Sequence, residues 1–348
     1  MKKTKNHTLD YVIPVILLAG TALAVFSLAL DIAPAFGISL KTFASFSNGL
    51  GAYISQVEAA WRPRLFSNLL ASLAVRVSRS ILTRVSIPLA GDPVQLAVGL
   101  WTLAWYSLTG LLFIGWLKKR SVFYIFGLFA GVVFGYLPIG GSLGANIVKN
   151  YIYPWDLPAL FIFSLFTLLF VKDRYRWLLG LIVIGVGFKE TAMVLCLVFL
   201  MRDFSGARWN PFQKGFWEQF RKESWFLFAV SLALSLTLKI SIGFLVKAPS
   251  SFLTMDTLDN GTTTTPLILV NLKQLLGLFP FLVNAGTLLA FFLLPTIDEK
   301  IRSMKYIALA FLLGNLFFGI FNEYRIWFEM IPFALYSIDK HLLQEGAG

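Results

Sequence analysis

Residues 172–203 read KDRYRWLLGLIVIGVGFKETAMVLCLVFLMRD, in which Lys189 and Glu190 separate two apolar runs and basic residues flank both ends. Neither run reaches the about 20 residues that cross a bilayer at about 1.5 Å per residue. Because short loops rich in Lys and Arg favour the cytoplasmic side, both outer ends are assigned to that side. Residues 177–201 are therefore predicted to form a half-membrane helical hairpin. The alternative is one continuous span with a structural ion pair.

The tip of this hairpin would hold Lys189 and Glu190 at depth in the membrane. An ionisable group in hydrocarbon costs at least about 2.5 kcal/mol and persists mainly when it is paired or faces a water-filled cavity. The presence of two ionisable residues at this depth therefore predicts a functional site at the tip.

The composition indicates a membrane protein. Mean hydropathy is +0.74, and 57% of the 348 residues are hydrophobic while 14% are charged. Repeated apolar runs account for these values better than a soluble core. The chain is therefore predicted to be an all-α polytopic integral membrane protein, with residues 1–348 forming a single transmembrane domain.

The net charge of +12 is explained in part by basic loops, so nucleic-acid binding is not inferred. The single cysteine, Cys196, excludes an internal disulfide. The two histidines lie near the termini, which argues against a histidine-based metal centre. No metal or cofactor is predicted.

The apolar runs predict about eight full or short spans in addition to the hairpin: residues 11–30, 94–117, 121–139, 157–171, 225–246, 278–297, 306–321 and 326–338. Loop charges put both termini in the cytoplasm, in what is expected to be a bacterial inner membrane. Residues 31–93 form an extracytoplasmic first loop with helices on the membrane surface. Residues 202–224 form a cytoplasmic loop and residues 247–266 an outer loop.

Charged residues from several segments are predicted to converge near the outer leaflet: Asp31, Glu58, Arg62, Arg64, Asp156, Lys189, Glu190, Glu323, Arg325 and Glu329. A carboxylate at Asp31 could accept a proton from an attacking hydroxyl, or could simply end a helix. Arg62 and Arg64 could bind phosphate bidentately, or could anchor the chain at the interface. Asp156 could act only as a helix N-cap. Lys239 either faces the same cavity or reaches toward the membrane surface.

The order of these segments resembles the membrane glycosyltransferases of the GT-C superfamily. It is closer still to a group of bacterial polytopic proteins with short charged motifs, which correspond here to Arg62-Pro63, Asp156 to Pro158, Lys189 to Thr191, and Glu323, Arg325 and Pro332. This chain has lysine at 189 where that group usually has arginine, and no soluble C-terminal domain is expected.

The resemblance implies a GT-C-like helical bundle that transfers a sugar from a polyprenyl-phosphate donor at the outer face. It implies Asp31 or Glu58 as the catalytic base and Arg62, Arg64 and Lys189 as phosphate ligands. Asp156, Glu190, Glu323 and Arg325 are expected to contact the substrate. The partners expected are membrane lipid and a lipid-linked phosphosugar. The alternatives are a transporter or flippase for a lipid or small anion, and a non-catalytic subunit of a membrane complex with a protein partner.

Overall fold

The structure is a computed structural model that describes residues 9–32, 49–56, 64–84, 92–136, 154–203, 216–247, 286–318 and 328–345. Four residues predicted to belong to the site lie outside these ranges: Glu58, Arg62, Glu323 and Arg325. All regular structure in the described ranges is helical, which confirms the all-α class.

The α-helices are α1 (Leu9–Ile32), α2 (Leu50–Gln56), α3 (Leu65–Leu82), α4 (Pro93–Leu117), α5 (Ser121–Tyr136), α6 (Asp156–Val171), α7 (Tyr175–Phe188), α8 (Val198–Met201), α9 (Lys222–Leu245), α10 (Gly286–Leu293), α11 (Glu299–Phe318) and α12 (Ile331–Glu345). A 3-10 helix, Glu190–Leu197, leads directly into α8.

Four helical stretches among the described residues are long and apolar enough to cross a membrane: Asp10–Asp31, Leu65–Leu82, Pro93–Val133 and Lys222–Leu245. They agree with the predicted membrane class. The apolar stretches from Asp156 to Val171, Tyr175 to Phe188 and Glu190 to Met201 are shorter. The count of about eight spans, the GT-C arrangement, the bacterial membrane and the cytoplasmic termini remain predictions.

Helix α7 ends just before Lys189, whose backbone is extended with φ −155° and ψ 131°. Beyond this residue the chain doubles back, so that the guanidinium carbon of Arg202 lies 5.6 Å from the ring centroid of Tyr175. Residues 175–201 therefore form a helical hairpin. The Phe188 ring at its tip lies 5.7 Å from Trp105, near the middle of α4. How far the hairpin reaches into a membrane remains a prediction.

Helix α3, which was predicted to lie on the membrane surface, packs along α4, and its position relative to a membrane remains a prediction. Ile81 and Leu82 pack against Leu30 near the end of α1 and against Leu96 near the start of α4. At the opposite end of α3, Phe66 lies 5.9 Å from Phe188 at the hairpin tip. Helix α3 therefore runs antiparallel to the first half of α4, and it is one of the four stretches long enough to cross a membrane.

The side chains of α3 explain this packing. Its buried face carries small residues, among them Ser67, Ala71 and Ser72, while Leu69 and Leu73 are exposed. Small residues let helices approach closely in a membrane, where leucine gains nothing from leaving lipid. Leu69 and Leu73 thus point outward, away from α4.

Helix α6 is the central element, because 13 of its 16 residues are buried. Its aromatic residues Phe163 and Phe166 lie 6.2 and 6.1 Å from Phe333 of α12. Since large buried aromatic side chains dominate core packing, α6 holds its first residue, Asp156, in a fixed position.

Candidate functional site

Six charged side chains meet where several elements begin or break: Arg64, Asp156, Lys189, Glu190, Lys239 and Glu329. We call this set the charge network. Arg64 precedes α3, Asp156 begins α6, and Glu329 lies two residues before α12. Lys189 and Glu190 form the hairpin tip, and Lys239 extends from α9.

The partly exposed half of the network, which we call the Glu190 lobe, consists of Arg64, Glu190 and Lys239. Arg64 Nε donates to Glu190 Oε2 at 3.0 Å, while Arg64 Nη2 donates to Oε1. Lys239 Nζ donates to Glu190 Oε2 at 3.4 Å. The side chain of Glu190 is 34% exposed and that of Arg64 is 16% exposed. Two cations on one carboxylate give this lobe a formal charge of +1.

The buried half, which we call the Lys189 lobe, consists of Lys189, Asp156 and Glu329. Lys189 Nζ lies 3.3 Å from Asp156 Oδ1 and 2.5 Å from Glu329 Oε1. The three side chains are 7%, 4% and 0% exposed, in the order Lys189, Asp156 and Glu329. One cation between two carboxylates gives this lobe a formal charge of −1.

The two lobes compensate each other, so the network is neutral when all six groups are ionised. Charges of opposite sign that are paired in this way can persist away from water. A buried ion pair is weak evidence for stability, because well-packed apolar residues in its place are often equally stable. The arrangement therefore points to a role beyond holding the helices together.

Contacts around Arg64 fix the direction of its side chain. The guanidinium carbon lies 4.2 Å from the centroid of the Trp155 ring, an arrangement in which the cation faces the aromatic π-system.

Ser67 donates a hydrogen bond of 3.2 Å to the Phe188 carbonyl, which joins α3 to the hairpin tip. A Cβ atom on Gly187 would collide with the Phe66 ring, so glycine permits this close contact.

The structure brings together five of the ten charged residues predicted to converge: Arg64, Asp156, Lys189, Glu190 and Glu329. Lys189 was expected to bind phosphate directly, but its ammonium group contacts two carboxylates and is buried. The second cation that contacts Glu190, in addition to Arg64, is Lys239, whose orientation the sequence left undecided. Glu329 was predicted to converge here, and it contacts Lys189.

Lys239 was recognisable from the pattern of α9. It is the lone charged residue between positions 224 and 246, and Ser231 and Ser235 precede it at spacings of four. All three residues are buried, so they share the inward face of the helix. A small polar stripe that continues into a lysine therefore signals a lysine that faces protein.

Asp31 does not join the network. It is exposed at the end of α1, beside Leu30, which packs with Leu82 at the far end of α3. Arg64 precedes the opposite end of α3, and the 18 residues of this helix span about 27 Å at about 1.5 Å per residue. The predicted convergence is therefore wrong for Asp31, because α3 runs lengthwise between the two groups.

Other charges lie at the open end of the hairpin, where Tyr175 and Arg202 meet. Arg202 pairs with Glu223 at 2.9 Å, and Arg221 pairs with Asp203 at 2.8 Å. Burial acts to raise the pKa of Asp203, but hydrogen bonds from Arg221 and Ser224 outweigh it and hold the pKa below its ordinary value. Arg221 and Glu223 are largely exposed, and such pairs contribute little to stability.

The chain was compared with protein-family models, with curated proteins and with solved structures, and none of the three comparisons found a match. The functional argument therefore rests on the charge network itself.

Proposed function

We propose that this chain is an integral-membrane glycosyltransferase that takes a sugar from a polyprenyl-phosphate donor at the outer face of the membrane. The observation that carries the proposal is the Glu190 lobe, in which Arg64 and Lys239 both hold one partly exposed carboxylate. The planar guanidinium matches phosphate oxygens bidentately, and an ammonium adds a point charge. A lipid-linked phosphate is the anion that a membrane-embedded site would meet.

In this proposal Arg64 and Lys239 hold the donor phosphate and stabilise the negative charge that grows on it as the sugar leaves. The acceptor hydroxyl attacks the anomeric carbon, the bond from that carbon to the phosphate oxygen breaks, and the hydroxyl proton passes to a carboxylate. Asp156 and Glu329 hold Lys189, which sets the position of the hairpin tip. These three residues thus position the phosphate ligands without binding phosphate themselves.

Between the two predicted bases, Glu58 fits this proposal better than Asp31. A base must lie within hydrogen-bond reach of the proton that it removes, and Asp31 lies beyond the far end of α3 from Arg64. Glu58 precedes Arg64 by six residues. Arg62, which is closer still in sequence, remains a proposed further phosphate ligand.

Ligand binding tests the phosphate site. Purified wild type, Arg64→Ala and Lys239→Ala are titrated with a polyprenyl phosphate and with its glycosylated form while thermal stability is followed, since a ligand that binds only the folded state raises stability. Stabilisation should appear in wild type and vanish in both variants. Arg120→Ala is the matched control, because it removes an arginine paired with Asp339 outside the network. Unchanged stabilisation in Arg64→Ala would overturn the site assignment.

The assignment of the base has its own test. Glu58→Gln should keep donor binding and lose transfer by about 100-fold or more, the usual contribution of a general base. Asp31→Asn should retain both. Sugar transfer is measured with a radiolabelled donor in membranes that contain each variant. Loss of transfer in Asp31→Asn, with transfer retained in Glu58→Gln, would reverse the assignment.

The hairpin break favours one other function, transport of a lipid or anion, because discontinuous helices form the binding sites of many secondary transporters. Proteoliposomes that move a labelled polyprenyl phosphate across the bilayer, with no transfer to any acceptor, would support transport over glycosyl transfer.

A further inference from the structure

Glu190 occupies the donors that a phosphate would need. Its two carboxylate oxygens each accept from a different nitrogen of Arg64, and one of them also accepts from Lys239. Carboxylate and phosphate use the same fork of guanidinium N–H groups. Because Arg64 Nε and Nη2 already donate to Glu190, a phosphate that binds these same two nitrogens must displace the carboxylate.

Glu190 is also the network carboxylate that can leave its position at the lowest cost. Its side chain is 34% exposed, compared with 4% for Asp156 and 0% for Glu329. The Glu190 carboxylate can turn toward its exposed side, whereas Asp156 or Glu329 would have to leave Lys189 while still buried, which is costly for a charged group.

We propose that Glu190 is an internal occupant of the phosphate position, which rests on the proposed function. Without donor, the carboxylate holds Arg64 and Lys239 in place and compensates part of their positive charge. The donor phosphate displaces the carboxylate and takes over both cations. After transfer, Glu190 returns to Arg64 and competes with the phosphate product, which speeds the release of that product.

The test uses Glu190→Gln, which removes the competing charge and keeps an oxygen that can accept from Arg64. Binding of farnesyl phosphate, a short polyprenyl phosphate, is measured by calorimetry on the full-length protein in a neutral detergent. Glu190→Gln should bind about tenfold tighter than wild type, because a like charge next to the ligand is gone. Glu190→Asp, which retains the charge on a shorter side chain, should fall between the two.

Glu223→Gln is the matched control, since it makes the same change in another arginine pair at the open end of the hairpin; its affinity should equal that of wild type. Binding that is detectable only in Glu190→Gln supports the proposal as well. Equal or weaker binding by Glu190→Gln, with clear binding by wild type, overturns the internal occupant and leaves the phosphate site standing. No binding by wild type, Glu190→Gln or Glu190→Asp overturns both.

Discussion

At the scale of single residues, Lys189 is a cation with 7% of its side chain exposed and two carboxylates as partners. Its neighbour Glu190 contacts two cations and is much more exposed. Two adjacent residues of opposite charge thus belong to different lobes. The Lys189 lobe has a formal charge of −1, and the Glu190 lobe has a formal charge of +1. This division separates a buried cation, Lys189, from a more exposed carboxylate, Glu190.

Replacement of Lys189 by methionine should destabilise the protein by about 3–5 kcal/mol, because it leaves two buried carboxylates without their cation. A second change, Glu329→Gln, should recover part of the loss, since it removes one of those charges. Unfolding is followed by heating in detergent. Lys300→Met is the control: its partner Asp173 is 63% exposed, and the loss should stay below about 1 kcal/mol. Equal losses in the two methionine variants would contradict the paired role of Lys189.

The sequence identified Lys189 and Glu190 because charges interrupt an apolar run, a signal carried by neighbours in the chain. It could not identify their partners in the same way. Lys239 is 49 residues from Glu190, and Glu329 is 140 residues from Lys189. Which cation meets which carboxylate depends on how the helices pack, and the sequence alone left that open.

At the level of elements, α3 packs closely against the tip of the hairpin. Gly187 lies against Phe66, two residues beyond Arg64. The helical break at Lys189 agrees with the sequence pattern, because the charged tip separates the two runs. The packing of α3 against α4 did not follow from the sequence pattern. Apolar residues on a helix can face either lipid or protein, and only the small residues on the buried face of α3 indicate which side packs against protein.

Gly187→Ala should destabilise the protein by about 1–3 kcal/mol, the usual cost of overpacking, and should weaken farnesyl phosphate binding because it shifts Arg64. Gly180→Ala is the matched control in the same helix, α7, where a Cβ meets nothing within 4 Å. It should be neutral or slightly stabilising, since alanine is the better helix former. Thermal unfolding and ligand titration measure both variants, and unchanged binding in a folded Gly187→Ala protein would contradict the link between α3 and the hairpin.

At the scale of the whole molecule, both arms of the hairpin return to one end of the bundle, while α3 ends at the other. Arg202 contacts Ser224 near the start of α9 at 3.0 Å, so that helix begins at the hairpin's open end. Leu82 packs with Leu30 and Leu96 at the opposite end. The membrane is therefore expected to separate these two groups of residues.

This arrangement predicts a labelling pattern. Cys196→Ser gives a chain without cysteine, into which single cysteines are introduced at the exposed positions Arg174, Lys222 and Thr83. In sealed vesicles, an impermeant maleimide should label positions 174 and 222 from the same side and position 83 from the other. Labelling of 174 and 222 from opposite sides would indicate a continuous span in place of the hairpin.

We have proposed that a lipid-linked phosphate binds to Arg64 and Lys239 in place of Glu190. The most direct measurement is an experimental structure of the protein with a non-transferable polyprenyl phosphosugar in a lipid nanodisc. The phosphate should lie within hydrogen-bond distance of Arg64 and Lys239, and the Glu190 carboxylate should be turned away from both. Lys189 should still lie between Asp156 and Glu329. A phosphate bound elsewhere, with the pair of Arg64 and Glu190 intact, would contradict it.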